Sequence, residues 1–368
     1  MPCIKKLSNF QGDRIMATSR FLSWITIIGV FCASLVCGCA QEAKPPVQPK
    51  KQAVEPAKPA PKAPAVEGVK IALKPKPGEQ SDYKIATSVR RGIKWEGPVP
   101  QKGAFEESFN EEQSEIAITQ RIQRVDANGS IVAQVTINSL KYISIIKNVT
   151  SVDFDSSRQS DASTPMSKII GQNYTIVFEP NNYVASVSSP AFVTAPAQVS
   201  GMSTAERAGQ NILSPESIKE RHSTLLLPPQ GHEQLKPGDK WSKIKTFTFG
   251  LMGLKSYEKI YTLKETQNAG GHQKAVIAMN AIPSSEVEGK FRDQQAGANF
   301  PKMFDTNDIF SGRGEVDLTA GCVDNYSENL HANWIAALPP NPGQSADANE
   351  PVVLRMTATR DYKIEKIK

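Results

Sequence analysis

Two runs, Ile116-Ala-Ile-Thr-Gln-Arg-Ile122 and Ile131-Val-Ala-Gln-Val-Thr-Ile137, lie on either side of Asn128-Gly129. Apolar side chains fall at even positions before the turn (Ile116, Ile118, Ile122) and at odd positions after it (Ile131, Ala133, Val135, Ile137). A period of two gathers such residues onto one face only if the chain is extended. A two-residue Asn-Gly turn places Ile122 opposite Val135 and Arg124 opposite Ala133, so even meets odd and both apolar sets share that face. The other face carries Thr119, Arg121 and Gln123 against Gln134 and Thr136, as in an antiparallel sheet wetted on one side.

Period-two patterning starts at Tyr83 and recurs on both sides of this hairpin. After it, a Ser- and Asp-rich loop is expected from Ser151 to Ser163, then a second hairpin from Tyr174–Phe178 through Glu179-Pro-Asn-Asn182 to Tyr183–Val187. Helix is predicted only near 203–227. Ser203 and Glu206 have capping-box spacing, and Ser214 caps a second helix that starts with Pro215 and carries Ile218, His222, Leu225 and Leu226 on one face. Pro228-Pro229 stops it.

Beyond Pro237-Gly238 strands resume, with alternation at Phe247 and Phe249, then at Tyr257, Tyr261 and Leu263, then from Ala275 to Ala281. Further runs are Val316–Ala320, Leu330–Ile335 and Val352–Ile364, separated by loops at Asn299–Asn307 and Pro339–Pro351. Ten or more strands, one helical insert and no strand–helix alternation predict a mainly β (α+β) fold: a large, curved antiparallel sheet or half-barrel with a short central helical insert.

The N-terminus has a different composition. Phe21–Val36 is uncharged and apolar behind Arg14 and Arg20, and it falls short of the ~20 residues of a spanning helix. It reads as a signal core, whose start is Met1 or Met16. It runs into Val36-Cys37-Gly38-Cys39, which resembles a bacterial lipobox: an aliphatic residue and small residues before a cysteine that is acylated and becomes the new N-terminus. Small residues let the peptidase approach the backbone, so Cys39 is the expected lipidation site. The competing reading is an ordinary signal cleaved elsewhere. Cys37 has no small residue beside the cut. The expected division is therefore 1–38 signal peptide, 39–79 tether and 80–368 β-rich domain.

Nine prolines between Gln41 and Gly78 exclude helix and central strand and favour a semi-extended polyproline tether, with Val69–Leu73 the first stretch expected to be ordered. The formal net charge of +6 divides into +3 for residues 1–38, +5 for 40–78 and hence −2 from Glu79 onward. The basic character belongs to leader and tether, so no nucleic-acid partner is expected for the folded part. Of five cysteines, Cys3, Cys32 and Cys37 leave with the leader and Cys39 carries lipid. Cys322 alone remains, which excludes an intrachain disulfide in the fold and favours a small buried hydrophobe.

Leu227-Pro228, then Gly238-Asp239-Lys240-Trp241, then Gly312-Arg-Gly-Glu-Val-Asp-Leu318 resemble short pieces shared by a group of uncharacterised bacterial lipoproteins. That group has a lipobox, a β-rich region, a short helical stretch ending in Leu-Pro, and Gly-Asp-x-Trp opening a second β-rich region. The resemblance covers residues 80–368 and implies no activity. By analogy of shape alone, a curved sheet closed by helices is similar to the half-barrel of lipoprotein carriers and lipid-binding envelope proteins.

No catalytic pattern emerges. His222, His232, His272 and His331 lack metal-ligand spacing, and no metal or cofactor is expected. Asp305-Thr-Asn307-Asp308 starts like a calcium loop, but Phe310 and Val316 stand where Gly and Glu are required. Nucleophile-elbow and phosphate-loop motifs are missing, and Gly312-Arg-Gly314 and Gly250-Leu-Met-Gly253 read as turn or bulge glycines. Glu106, Glu107, Asp153 and Asp155 sit in polar runs expected at the surface. Trp241 has two readings, a core anchor or the wall of an apolar cavity shared with Phe247, Phe249, Tyr257 and Tyr261.

The sequence thus points to an exported lipoprotein anchored at the cell envelope. It would be a non-catalytic binding module for an apolar ligand or an envelope partner. A structural or assembly role is the first alternative, and a hydrolase with an unrecognised site the second. Ala40 after the lipidated cysteine, in place of Asp, favours the outer membrane facing the periplasm.

Overall fold

The computed structural model describes residues 68–97, 106–180, 184–188, 201–223, 226–229, 232, 234–294, 303–338 and 352–367. Twelve strands are described: β1 (Gln80–Glu96), β2 (Ser108–Val125), β3 (Ile131–Ile146), β4 (Val149–Asp155), β5 (Asn173–Phe178), β6 (Val184–Ser188), β7 (Lys240–Thr248), β8 (Leu254–Ala269), β9 (His272–Ser284), β10 (Asp305–Asp317), β11 (Cys322–Leu338) and β12 (Val352–Lys366). Two helices, α1 (Thr204–Ile212) and α2 (Pro215–His222), form the predicted insert.

All pairings are antiparallel, in the order β6-β5-β3-β2-β1-β12-β11-β10-β9-β8-β7, with β4 also on β3. The expected mainly β fold, one large curved antiparallel sheet with a short helical insert, is therefore observed. Two runs of consecutive strands meet where β1 pairs with β12, so β6 and β7 become opposite edges. The chain between them must pass from one edge to the other. This connectivity sets α1 and α2 against the sheet.

One transverse row shows how the inner face is made. Leu263, Ile277, Gly314, Tyr326, Ile364, Ile85, Ile116 and Leu140 are successive partners across eight strands, and all are buried. The next row on this face is Trp241–Tyr261–Met279–Gly312–Glu328–Tyr362–Thr87–Ser114–Tyr142–Phe154. Directly opposed residues of antiparallel strands share a face, so apolar residues at period two form one continuous core. Burial of the aromatic and aliphatic members contributes roughly 1.5–3 kcal/mol for each fully buried side chain.

The hairpin at Asn128-Gly129 is present with its apolar residues on one face, but its register differs from expectation. Ile122 pairs with Ala133, and Val135 with Gln120. Asp126 C=O accepts from Gly129 N–H (2.9 Å), and Asp126 N–H donates to Ser130 C=O (2.8 Å). With Gly129 at φ +83°, this is a three-residue loop: a turn begun by Asp126 and closed by a left-handed glycine. A bulge between Ile122 and Arg124 takes up the remaining offset.

The loop expected over Ser151–Ser163 instead begins with β4. Val152 and Phe154 face the core while Ser151 and Asp153 face outward, so polar composition hides a period-two strand. Gly312 and Gly314 are not turn residues either, because both lie within β10. A Cβ on Gly312 would come 2.6 Å from Ser327 O, and one on Gly314 would come 2.9 Å from Asn325 O and 3.0 Å from Leu226. Close packing excludes a side chain there. Gly250 and Gly253, at φ +64° and +72°, do bound a turn.

Residues 68–79, which proline spacing assigns to the tether, lie against the sheet. Val69 forms a bridge with Leu235, Ile71 is buried, and the Lys74 ammonium donates to Leu318 O (2.6 Å). The apolar residues of Val69–Leu73 supply a driving force that Pro75 and Pro77 do not prevent, since neither lies in a strand.

Ser203 accepts from Glu206 N–H while the Glu206 carboxylate accepts from Ser203 N–H, completing the capping box of α1. Ser214 caps α2 with Pro215 in its first turn. Cys39, the signal segment, the tether up to residue 67, Leu225 and the 339–351 loop lie outside the described residues.

Candidate functional site

The inner face holds buried charges as well as apolar groups. Lys259 of β8 is 3% exposed and pairs with Glu328 of β11, whose carboxylate also accepts from Tyr326 OH (2.6 Å). Burial works against charge on Glu328, but Lys259, Tyr326 and Arg360 outweigh it and hold the carboxyl below its ordinary range. Lys255 donates to both Asp308 oxygens at 2.8 Å, Tyr257 OH donates to the same carboxylate (2.9 Å), and the Lys255 ammonium lies 4.2 Å from the Trp334 ring centre.

The end of α2 is fixed to this face. Glu220 pairs with Arg360 of β12 (2.6 Å) and Lys245 of β7 (3.7 Å), and Tyr362 OH donates to Arg221 O (2.7 Å). His222 Nε2 and Tyr174 OH are 2.7 Å apart. Burial, with the nearby Arg221 charge, pushes the His222 pKa down to about 3. A small cavity of about 80 Å³ remains between Leu73 and Pro75 on one side and Tyr83, Ile118, Phe178 and His222 on the others.

A larger space, a groove of about 730 Å³, crosses β10, β11, β12, β1, β2 and β3. Two neighbouring transverse rows line it, Ser311–Asn329–Asp361–Ser88–Gln113–Ile143 and Arg313–Ser327–Lys363–Ala86–Glu115–Lys141. Both alternate with the inner row through Gly312, Glu328, Tyr362, Thr87, Ser114 and Tyr142, so their side chains belong to the opposite, polar face. Small residues such as Ser88, Ala86 and Ser327 leave the room. The two outward-facing rows supply three cations (Lys141, Arg313, Lys363) and two carboxylates (Glu115, Asp361), together with hydroxyls, amides and Ile143. The lining contains neither histidine nor cysteine.

The residues weighed in the sequence are dispersed. His222 lies in α2, His272 at the start of β9 with Nδ1 2.7 Å from Asp317, and His331 in β11. Asp305–Asp308 forms the start of β10, where Asp308 serves the Lys255 pair. Asp153 pairs with Arg158 at 2.8 Å, and Glu106 and Glu107 are exposed. Cys322 is buried, its thiol pKa pushed up by burial, with the Lys366 ammonium 3.3 Å away. Trp241 is 4% exposed and stacks on Tyr261, with ring centres 5.8 Å apart, which makes it a core residue. Among the described residues no group of three or more His, Cys, Asp or Glu is placed to hold a metal, and no helix is long and apolar enough to cross a membrane. The sequence reading missed the groove, whose rows join residues far apart in the chain.

No family model matches the chain, and no curated protein does. A solved structure described as lipid–protein interactions in lipovitellin is similar over 80% of this chain and 25% of its own, with a TM-score of 0.37 and 9% identity. The chain therefore spans about a quarter of that protein's length.

Proposed function

We propose that this chain is a non-catalytic binding module of the bacterial cell envelope. Cys39 carries the lipid, the Pro/Ala/Lys-rich segment spaces the domain from the membrane, and the protein faces the periplasm from the outer membrane. The observation that carries the reading is the groove of about 730 Å³ across six strands, within the volume range of ligand sites.

Its lining sets hydroxyls, amides and charges of both signs on a largely apolar floor, which favours an elongated partner with apolar as well as polar groups. On the inner face an apolar ligand finds less room, since the described cavity near His222 holds about 80 Å³ and aromatic side chains occupy the neighbouring rows.

Site-specific photocrosslinking in cells tests the reading. A crosslinker at Ser327 in the groove is expected to give a discrete adduct that one at Gln267, on the β8–β9 hairpin, does not. Identical adducts from both positions, or none from Ser327, would contradict it. Loss of membrane association in Cys39→Ser tests the address separately.

A further inference from the structure

Two adjacent residue pairs at the β7 edge form a patch of donors on the inner face. Trp241 is opposite Tyr261, and Lys243 is opposite Lys259. Lys259 is neutralised by Glu328. Lys243 has neither an acid nor a hydrogen-bond acceptor among the described residues, and burial together with the Lys259 charge lowers its pKa. Beside it, the buried Trp241 Nε1–H has no hydrogen-bond partner, and the Tyr261 hydroxyl, close to Lys259 and Tyr326, makes no hydrogen bond of normal geometry.

An indole N–H can only donate, and a buried donor without an acceptor costs about 1–3 kcal/mol. The wider charge balance has the same sign. Lys243, Lys245, Lys255, Lys259 and Arg360 face Glu220, Asp308 and Glu328 across this part of the interior, five cations against three carboxylates. Glu288, after β9, adds a fourth carboxylate, its oxygen accepting from Thr246 N–H (2.8 Å), while Lys290 beside it is exposed, so the cations remain in excess. Water can satisfy the two neutral donors, whereas a half-buried ammonium without a carboxylate gains further from an anion beside it.

We propose that Lys243, Trp241 and Tyr261 form a binding site for a phosphate-type oxyanion at the β7 edge of the inner face. Three donors on two strands suit a tetrahedral group with several acceptor oxygens, either free phosphate or the headgroup of an acidic phospholipid. The site is separate from the groove and does not depend on the groove's function.

Calorimetric titration of the full chain with inorganic phosphate, and with monomeric short-chain phosphatidylglycerol, tests the proposal. The wild type is expected to bind at least one probe. Lys243→Met should weaken that binding about tenfold or more, as loss of a charged hydrogen bond does, while Lys243→Arg retains it. Binding of the lipid alone assigns a headgroup site, and equal binding of both assigns a free-oxyanion site. The bound probe should also raise the melting temperature of the wild type and not that of Lys243→Met. If Lys243→Met does not fold, Trp241→Phe, which removes one donor, must weaken binding instead. Failure of both probes to bind the wild type, or undiminished affinity in the folded variants, overturns the site.

Discussion

Arg360 of β12 stands 5.1 Å from the centre of the Phe247 ring on β7, although five strand-to-strand steps separate them in the sheet. A flat sheet would place these strands about 24 Å apart. Phe249, just after β7, likewise meets Trp334 of β11 with ring centres 5.0 Å apart, and Arg91 of β1 reaches Thr248 O at 3.5 Å. The β7-to-β1 part of the sheet therefore curls until its inner side chains meet.

Phe247 is central to that closure, touching Tyr257 and Phe310 as well. Phe247→Ala is expected to lower stability by about 3–5 kcal/mol, from lost burial and the cavity left behind. Urea unfolding measures the loss; a change below about 1 kcal/mol would contradict the curled packing.

The Lys259–Glu328 pair lies inside the same curl. Lys259→Met is expected to cost about 3–5 kcal/mol by stranding a buried carboxylate, whereas Lys259→Met with Glu328→Leu should recover much of it. Because the folded Glu328 carboxyl titrates below its ordinary range, its contribution is present above the unfolded carboxylate pKa and lost as pH falls through the lower folded value. Denaturant unfolding of the two single variants and the double variant gives the coupling.

His222 gives a separate pH signature. Its folded pKa is about 3, while the unfolded chain protonates near the model-peptide value of 6.5. The unfolded state thus binds more protons between these values, and stability should fall as pH drops, by about 2 kcal/mol between pH 6.5 and 5. His222→Gln should flatten that window without altering the steeper carboxylate-driven loss at lower pH. Equal slopes for both proteins between pH 6.5 and 5 would rule out the buried neutral imidazole.

Much of the architecture was legible because it is local. Ser203 with Glu206 announced a helix start, and Ile116 to Ile137 announced a hairpin, since capping and alternation act over a few residues. The hairpin register was not legible, because Asp126 starts the turn one residue earlier than the Asn-Gly pair suggests. β4 was hidden by outward-facing Ser and Asp. Lys243, Lys259 and Glu328 have surface composition but inner-face position, which only the sheet's curl turns into burial. The groove was least legible of all: Ser327, Lys363 and Ala86 become neighbours only through pairings that join the two ends of the chain.

Native mass spectrometry of the full chain, compared with an Ala86→Trp/Ser327→Trp variant that fills the groove, tests the binding-module account most directly. The account predicts a discrete bound mass on the wild type that is lost from the equally stable variant. A wild type that carries and acquires nothing from envelope extract, or a variant that keeps the same bound mass, would contradict it.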